Sequence, residues 1–529
     1  MPFSRDTTGS RQVLRAFARR LSELVSMAQA DDGQSSRRPL KVVIIGAGAS
    51  GLCALRHFAN DPRYDCVAYE QSPAIGGIWN YPEGCEEHPN APPTSPYYCR
   101  TYRDLMTNSP TALTHFPDYP MPPDTPNFVH REVVVRYLNE YCDHFDIRSW
   151  IKLRHQVIRI EPVENLKDPN WPKFHVTSMD LETEKTEQVV ADILLICNGH
   201  NGKPNIPLLH NIEQFRGSVI HSAEYRVPEV YQNKNVAIIG GMVSANDIAC
   251  ALLPVAKKII LCRRVFQEVY RKKFLHVLET TSAVTFGSDH IILEDGTKEN
   301  IDAVILATGF DYDFPFLTPE CRTEILRGRV KPLYRHLIHC EFHSMAFVGL
   351  FNVVPFLAAG ADPQIQYYKA VVERTVKLPP VPKMFAEVDE EFSQRLAKGF
   401  KPHWAHKMIN QVWPYIDTLA KEAGFPTHKA GFPAMYKDNV ECILKAPWEY
   451  RDMVEERIAA ERERANREGR RFSQIYGIPN SEPLEAKNAE LGRGGSKIPD
   501  MSSVPDGRRM SKPQIPTGER RPSLMQVNE

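Results

Sequence analysis

The chain has 529 residues, 42% of them hydrophobic and 25% charged, and its 65 Lys+Arg balance its 65 Asp+Glu. At ~150 residues per domain, this length holds more than one folded unit, and a net charge of zero offers no basic field for nucleic acid. Eleven cysteines, the closest pair being Cys250 and Cys262, leave no C-x-x-C; a zinc ribbon, a dithiol redox motif and a disulfide scaffold are excluded, and a reduced, cytoplasmic protein is expected.

Residues 1–38 read as a polar N-terminal extension. Val13, Leu14, Phe17, Leu21, Leu24 and Val25 recur at helical spacing with arginines opposite. The pattern suits a surface helix, with mitochondrial import as the alternative. Arg15, Arg19 and Arg20 interrupt the apolar stretch and exclude a secretory signal. No apolar run reaches the ~20 residues of a membrane-spanning helix.

From Lys41 the chain alternates apolar strands, glycine turns and helical segments, which predicts an α/β fold. The first strand runs into Gly46-Ala47-Gly48-Ala49-Ser50-Gly51, a G-x-G-x-x-G turn opening a helix near Leu52. Gly46 permits the tight turn, Gly48 the approach of a pyrophosphate, and Gly51 close helix–strand packing. The helix N-terminus presents free N–H groups to the phosphates. A second strand, Cys66–Tyr69, ends in Glu70, 24 positions after Gly46, near the ~20-residue offset of a carboxylate that binds ribose hydroxyls. Residues 83–127, rich in Pro, Tyr and Asn, read as an ordered loop over a site.

A second unit opens at Asn235. Strand Val236–Ile239 leads into Gly240-Gly241-Met242-Val243-Ser244-Ala245-Asn246-Asp247. Ala245 is an accepted third position, whereas Met242 replaces the second glycine and crowds a pyrophosphate. Strand Lys258–Cys262 is followed by Arg263 and Arg264, which suit the 2′-phosphate of NADP. The alternative is a unit that binds nothing. One acidic and one basic ribose site together point to FAD plus NADPH. Residues 448–471 read as a charged, mostly solvent-facing helix, and the Pro-, Ser- and Gly-rich residues 477–529 as disordered.

The stretch Phe215-Arg-Gly217-Ser-Val-Ile-His221-Ser-Ala-Glu-Tyr225 resembles F-x-G-x-x-x-H-x-x-x-Y, the identifying sequence of flavin-containing monooxygenases. Gly76-Gly77-Ile78-Trp79, Thr107-Asn108-Ser109, Ala307-Thr308-Gly309-Phe310, Phe314-Pro-Phe-Leu, and Gln366 ahead of Leu378-Pro match further segments in order. The resemblance spans about Lys41 to Arg451. It implies two Rossmann-like units: an FAD domain in two segments (39–213 and 311–450), and an inserted NADP domain (229–310) joined through residues 214–228. A charged helix (451–476) and the disordered tail follow.

It also implies the chemistry. NADPH reduces FAD, dioxygen is captured as a C4a-hydroperoxide, and the amine nitrogen or sulfide sulfur of a small molecule takes one oxygen atom, as with N,N-dimethylaniline. Asn108 is the implied catalytic residue, beside the flavin; His221 and Tyr225 shape the domain junction. Cofactor contacts are expected at Gly46–Gly51, Glu70, Gly77, Ile78, Trp79, Thr107, Asn108, Ser109, Gly240, Ser244, Ala245, Asn246, Asp247, Arg263, Arg264 and Gln366. Baeyer–Villiger relatives carry Trp followed by Pro or Asp where this chain has Tyr225-Arg226, which favours N- or S-oxygenation over ketone oxidation. A non-catalytic FAD-binding protein is the third reading, and a disulfide reductase lacks its cysteine pair.

No metal is expected, since the resemblance places His336, His339, Cys340 and His343 in a connection and not along one helix face. His403 and His406 are read as helix-face residues. Outside the resemblance, Arg-Arg-x-Ser recurs at Ser22, Ser473, Ser511 and Ser523, a pattern suited to a basophilic kinase, with a solvated basic tail as the alternative.

Overall fold

The run Leu40–Ile45 (LKVVII) is β-branched throughout its core, and such residues fit a strand buried on both faces. In the computed structural model, which describes residues 38–263, 276–281, 283–326, 328–351, 360–408 and 411–470, this strand is central to a seven-stranded sheet. It pairs in parallel with Tyr64–Tyr69 on one side and Ile193–Ile196 on the other. Met345–Phe347 continues the parallel run beyond Ile193–Ile196, and two short antiparallel strands, Ile338–His339 and Leu333–Tyr334, close that edge. A sheet whose neighbours come from residues 40–69, 193–196 and 333–347 has its last strands far away in sequence.

Side-chain alternation divides the core. Val42 and Ile44 pack with Leu52, Cys53, Leu55 and Phe58 of helix Ala49–Phe58. Val43 and Ile45 face the other way, onto Val157, Phe174 and Val176 of an antiparallel three-stranded sheet. Each such fully buried side chain contributes about 1.5–3 kcal/mol of transfer free energy.

The same plan recurs between residues 218 and 306. Asn235–Ile239 lies between Lys258–Cys262 and Ala303–Leu306, with Val277–Thr280 and Ser218–His221 outermost, all five parallel. Val236 and Ile238 pack with Ala245, Ile248 and Leu252 of helix Val243–Leu252, and Ala237 with Phe286, Ile291 and Leu293 beyond the opposite face. The chain is thus α/β with two Rossmann-type sheets, each presenting a glycine turn at the carboxyl end of its central strand.

The charged helix runs over Tyr450–Arg467; most of it faces solvent as expected, and it docks through Tyr450, Val454, Ile458 and Ala465, all buried. One expectation changes. His406 is not on a helix face: it is buried, accepts from the Val330 N–H at 2.9 Å and lies 3.0 Å from His336. The N-terminal helix, Arg264, the four kinase-type serines and residues 477–529 fall outside the described residues. Among the described residues no helix is long and apolar enough to cross a membrane.

Candidate functional site

Two of the three glycines of the first turn are each required by a different backbone contact. Gly46 has φ +100°, and a Cβ there would stand 2.7 Å from the Cys197 carbonyl oxygen. A Cβ on Gly51 would stand 1.9 Å from the Gly46 carbonyl oxygen, so the helix lies directly against the turn. Gly48 differs: its Cβ would meet only the Gly77 backbone, at 3.5 Å. Among the described residues nothing demands a glycine at 48, as expected of a backbone kept bare for a ligand.

The Gly77–Trp79 turn faces this loop. Gly76 donates its N–H to the Ala47 carbonyl at 3.1 Å, and Gly77 has φ +58° with a would-be Cβ 3.1 Å from Gly48 Cα. Ile78 is exposed and Trp79 half-buried beside them. Glu70, 8% exposed, closes the other side. Its carboxylate accepts from Ala47 N–H at 2.8 Å and from Ser72 N–H and Oγ at 2.9 and 2.5 Å. Two bare glycine backbones, a helix N-terminus at Ala49-Ser50 and a fixed carboxylate form a cradle that fits the pyrophosphate and ribose of FAD.

At the second turn Gly240 has φ +147°, and a Cβ there would stand 2.2 Å from the Ala307 carbonyl oxygen, linking the turn to the Ala307–Phe310 segment. Met242 is 58% exposed and occupies the N-cap position that Gly48 holds in the first unit. Ser244 is exposed and Ala245 buried. The fit to a pyrophosphate is therefore made around Met242, with Gly241 as the bare neighbour.

Arg263 departs from expectation. It is buried, its Nη2 donates to Asn246 Oδ1 at 2.6 Å and lies 3.1 Å from Glu279 Oε1, a side chain 1% exposed. The guanidinium is turned into the fold, so Arg263 and Asn246 are joined to each other and to Glu279. Asp247 likewise takes protein partners: Tyr102 OH at 3.2 Å and Arg451 Nη2 at 3.2 Å. Burial raises the Asp247 carboxyl above its ordinary range, opposed by the Arg451 charge.

In the flavin-side segment, Thr107 and Ser109 are buried. The Thr107 hydroxyl accepts from Val129 N–H at 3.1 Å, and Ser109 Oγ lies 3.0 Å from Thr114 Oγ1. Asn108 between them is half-buried and its side-chain amide takes no hydrogen bond among the described residues, while its carbonyl accepts from the buried Asn439 at 3.0 Å. Of the three polar side chains, only the Asn108 amide is left to face a ligand. His221 is buried with its base strength pushed down to about 4 by desolvation, and stands edge-on to Phe310 at 5.1 Å. Tyr225 is buried between Tyr102 and Tyr231.

Gln366 is placed elsewhere. Its amide donates to Asp362 at 2.6 Å, and Asp362 also binds His57 Nε2 at 2.7 Å and lies 3.8 Å from Cys53 Sγ. Gln364, two residues earlier, is the side chain at the carboxyl ends of the strands: it accepts from Gly349 N–H at 2.9 Å. Gly349 in turn lies beside Ser50, whose Oγ is 3.0 Å from a would-be Cβ. Cys53, His57 and Asp362 offer ligand atoms within 4.8 Å of one another, yet burial raises the Cys53 thiol well above its ordinary range and hydrogen bonds occupy Asp362. His336, His339 and His343 have separate partners, in Glu391, the Arg322 carbonyl and the Cys340 carbonyl.

Sequence reasoning also missed Arg226. Its buried guanidinium donates to five carbonyls, those of Pro89, Cys99, Thr101, Ala223 and Tyr225, at 2.6–3.3 Å. It fastens the Phe215–Tyr225 stretch to the loop of residues 83–127. The signal for it was position alone, directly after Tyr225.

The flavin-binding monooxygenase-like family model matches residues 39–277 and 274–438, most of the chain and both glycine turns. The chain belongs to the flavin-containing monooxygenase family. It is a monooxygenase and oxidoreductase of a family of FAD- and NADPH-dependent flavoproteins. It is 28% identical to flavin-containing monooxygenase FMO GS-OX2 of Arabidopsis thaliana, over 80% of this chain and 94% of that one. It is 26% identical to senecionine N-oxygenase of Tyria jacobaeae, over 82% and 92%. Among solved structures, S-allyl-L-cysteine S-oxygenase of Allium sativum superposes with a TM-score of 0.70 at 25% identity, covering 81% of this chain and 98% of that one.

Proposed function

We propose that this monooxygenase transfers one oxygen atom of dioxygen to a soft nucleophilic nitrogen or sulfur of a small molecule, at the expense of NADPH. The observation that carries the reading is the pairing, in one family-matched chain, of the open Gly48–Gly77 cradle with the second glycine turn at Gly240. Proteins named for N-oxygenation and S-oxygenation are among those the chain is similar to, and Tyr225-Arg226 departs from the Trp-containing Baeyer–Villiger pattern.

Bound FAD, reduced by NADPH, supplies the activated dioxygen. The N–H groups at Ala49-Ser50 hold its pyrophosphate and Glu70 its ribose. The Asn108 amide, unbonded among the described residues, orients the reacting end. Arg264 reads the 2′-phosphate of NADPH, since Arg263 is committed to Glu279 and Asn246. His221 stays neutral at physiological pH and packs the junction without acting as an acid. The attacking nucleophile needs no protein base, because its lone pair is already free.

The test is NADPH consumption by the purified yellow protein with N,N-dimethylaniline, a dialkyl sulfide and a cyclic ketone, scoring oxygenated product by mass spectrometry. N-oxide or sulfoxide formation is expected. Lactone alone, or NADPH loss with hydrogen peroxide as the only product across the panel, would overturn the reading.

A further inference from the structure

Helix Tyr450–Arg467 begins beyond the family-matched residues, which end at 438, yet its second residue touches both halves of the nucleotide machinery. Arg451 Nη2 lies 3.2 and 3.4 Å from the two Asp247 carboxylate oxygens, and Arg451 Nε donates to the Thr107 carbonyl at 3.1 Å. Asp247 lies on the helix that opens at the Gly240–Met242 turn. Thr107 immediately precedes Asn108. One planar group therefore spans from the helix of the second glycine turn to the flavin-side segment.

The surroundings fix that group. The Asp247 and Arg451 side chains are 9% and 24% exposed. The guanidinium carbon is 4.6 Å from the Tyr450 ring and 6.0 Å from the Phe128 ring, and those two buried rings meet edge-on at 5.9 Å. Tyr102 OH donates to the second Asp247 oxygen at 3.2 Å. Burying two charges costs nearly what their attraction returns, so such a pair adds little net stability. What it does add is geometry: Nε and Nη2 of one guanidinium are rigidly related, and a lysine can serve Asp247 or Thr107 but not both.

We infer that Arg451 is a positioning residue for hydride delivery: it holds the NADP-side helix at a set distance from the Asn108 segment, so that nicotinamide and flavin meet in reacting register. The inference rests on the NADPH-dependent reading above. The step served is NADPH + H⁺ + FAD → NADP⁺ + FADH₂, in which Arg451 exchanges no atoms.

The test uses the full-length holoprotein and the anaerobic rate of flavin bleaching at saturating NADPH, with flavin content and bleaching by dithionite as parallel readouts. Arg451→Ala is expected to keep its flavin and its dithionite bleaching while NADPH bleaching slows on the order of tenfold or more, the scale on which small misplacements act. Arg451→Lys should fall between. Arg457→Ala is the control: Arg457 pairs with Asp438 and Glu441 at 3.0 and 3.7 Å, so its loss loosens the same helix away from Asp247, and the wild-type rate is expected. Should Arg451→Ala lose its flavin, Asp247→Asn keeps the side chain's shape, removes the charge, and is expected to slow NADPH bleaching alike. A wild-type rate in both Arg451→Ala and Asp247→Asn, or equal slowing in Arg457→Ala, overturns the inference. Wild-type protein that bleaches with dithionite and not with NADPH overturns instead the proposed function, and the inference with it.

Discussion

At the scale of single residues, Gly48 and Gly51 look equivalent in sequence and are not. A side chain at 48 meets the protein only in ordinary contact, whereas one at 51 drives into the Gly46 carbonyl. Gly48→Val should therefore purify folded but colourless, its absorbance at flavin wavelengths lost while apoprotein melting is little changed. Gly51→Ala should fold poorly, at a cost of about 1–3 kcal/mol for overpacking, and retain some flavin in whatever fraction folds. Equal flavin loss at equal melting temperature would contradict this division.

Arg263 and Arg264 likewise part company. Arg264→Ala should narrow the preference for NADPH over NADH, because a phosphate partner is lost. Arg263→Ala takes a cation from the buried Glu279, and breaking such a pair costs about 3–5 kcal/mol. It should appear as a fall in melting temperature, with the ratio of the two nucleotides' Michaelis constants little altered. The turns were legible because the strand–glycine–helix pattern is itself contiguous in sequence, although the carbonyls that Gly46 and Gly240 approach, those of Cys197 and Ala307, follow neighbouring strands that are distant in sequence. The inward turn of Arg263 was not, because Glu279 comes alongside only through the pairing of Leu261 with Glu279 across adjacent strands.

At the scale of elements, the two strand–turn–helix units could be read from apolar runs ending in glycine, and they fold where those runs stand. Helix Tyr450–Arg467 was read by its charge, which concealed a narrow apolar stripe at Tyr450, Val454, Ile458 and Ala465. Four apolar side chains among so many Glu and Arg give almost no amphipathic signal, yet they suffice to dock the helix against Phe128 and Met435. Ile458→Ala should cost about 2–5 kcal/mol and Glu456→Ala, on the exposed side, almost nothing; urea denaturation of the two variants distinguishes a docked helix from a solvated one. Gln366 shows the opposite limit. Gln364 and Gln366 are two residues apart on one helix, and which of them reaches Gly349 depends on helix Ala49–Phe58 packing behind it.

At the scale of the whole molecule, burial sets the response to acid. His115, His221 and His339 are each pushed down to about 4 by desolvation, against ~6.5 in an unfolded chain. Above that value both states are neutral and these groups contribute no pH dependence. As pH falls from ~6.5 toward 4 the unfolded chain binds protons that the folded one refuses, so stability drops through that window. Carboxylates held low by partners, such as Asp192, which accepts from the Lys41 N–H and lies beside Lys173 and Arg38, act in the same direction at lower pH. The melting temperature should be level between pH 7 and 8 and fall steadily from 6.5 to 5, with proton uptake on unfolding at pH 5. A melting temperature unchanged between pH 7 and 5 would show these histidines to be solvated.

The five carbonyls gathered by Arg226 have a kinetic corollary. They belong to Pro89, Cys99 and Thr101 in the loop and to Ala223 and Tyr225 in the family stretch, and a guanidinium this deeply buried cannot abandon one set while keeping the other without stranding its charge. Loop and stretch must then open as one cooperative unit. In native-state hydrogen exchange, amides around residues 99–105 and 223–226 should share one opening free energy and one denaturant dependence, and Arg226→Met should release the loop amides into faster exchange, leaving the strand Leu40–Ile45 protected. Access to the flavin edge would then be governed less by the fluctuation of any single loop residue than by the lifetime of that shared closed state.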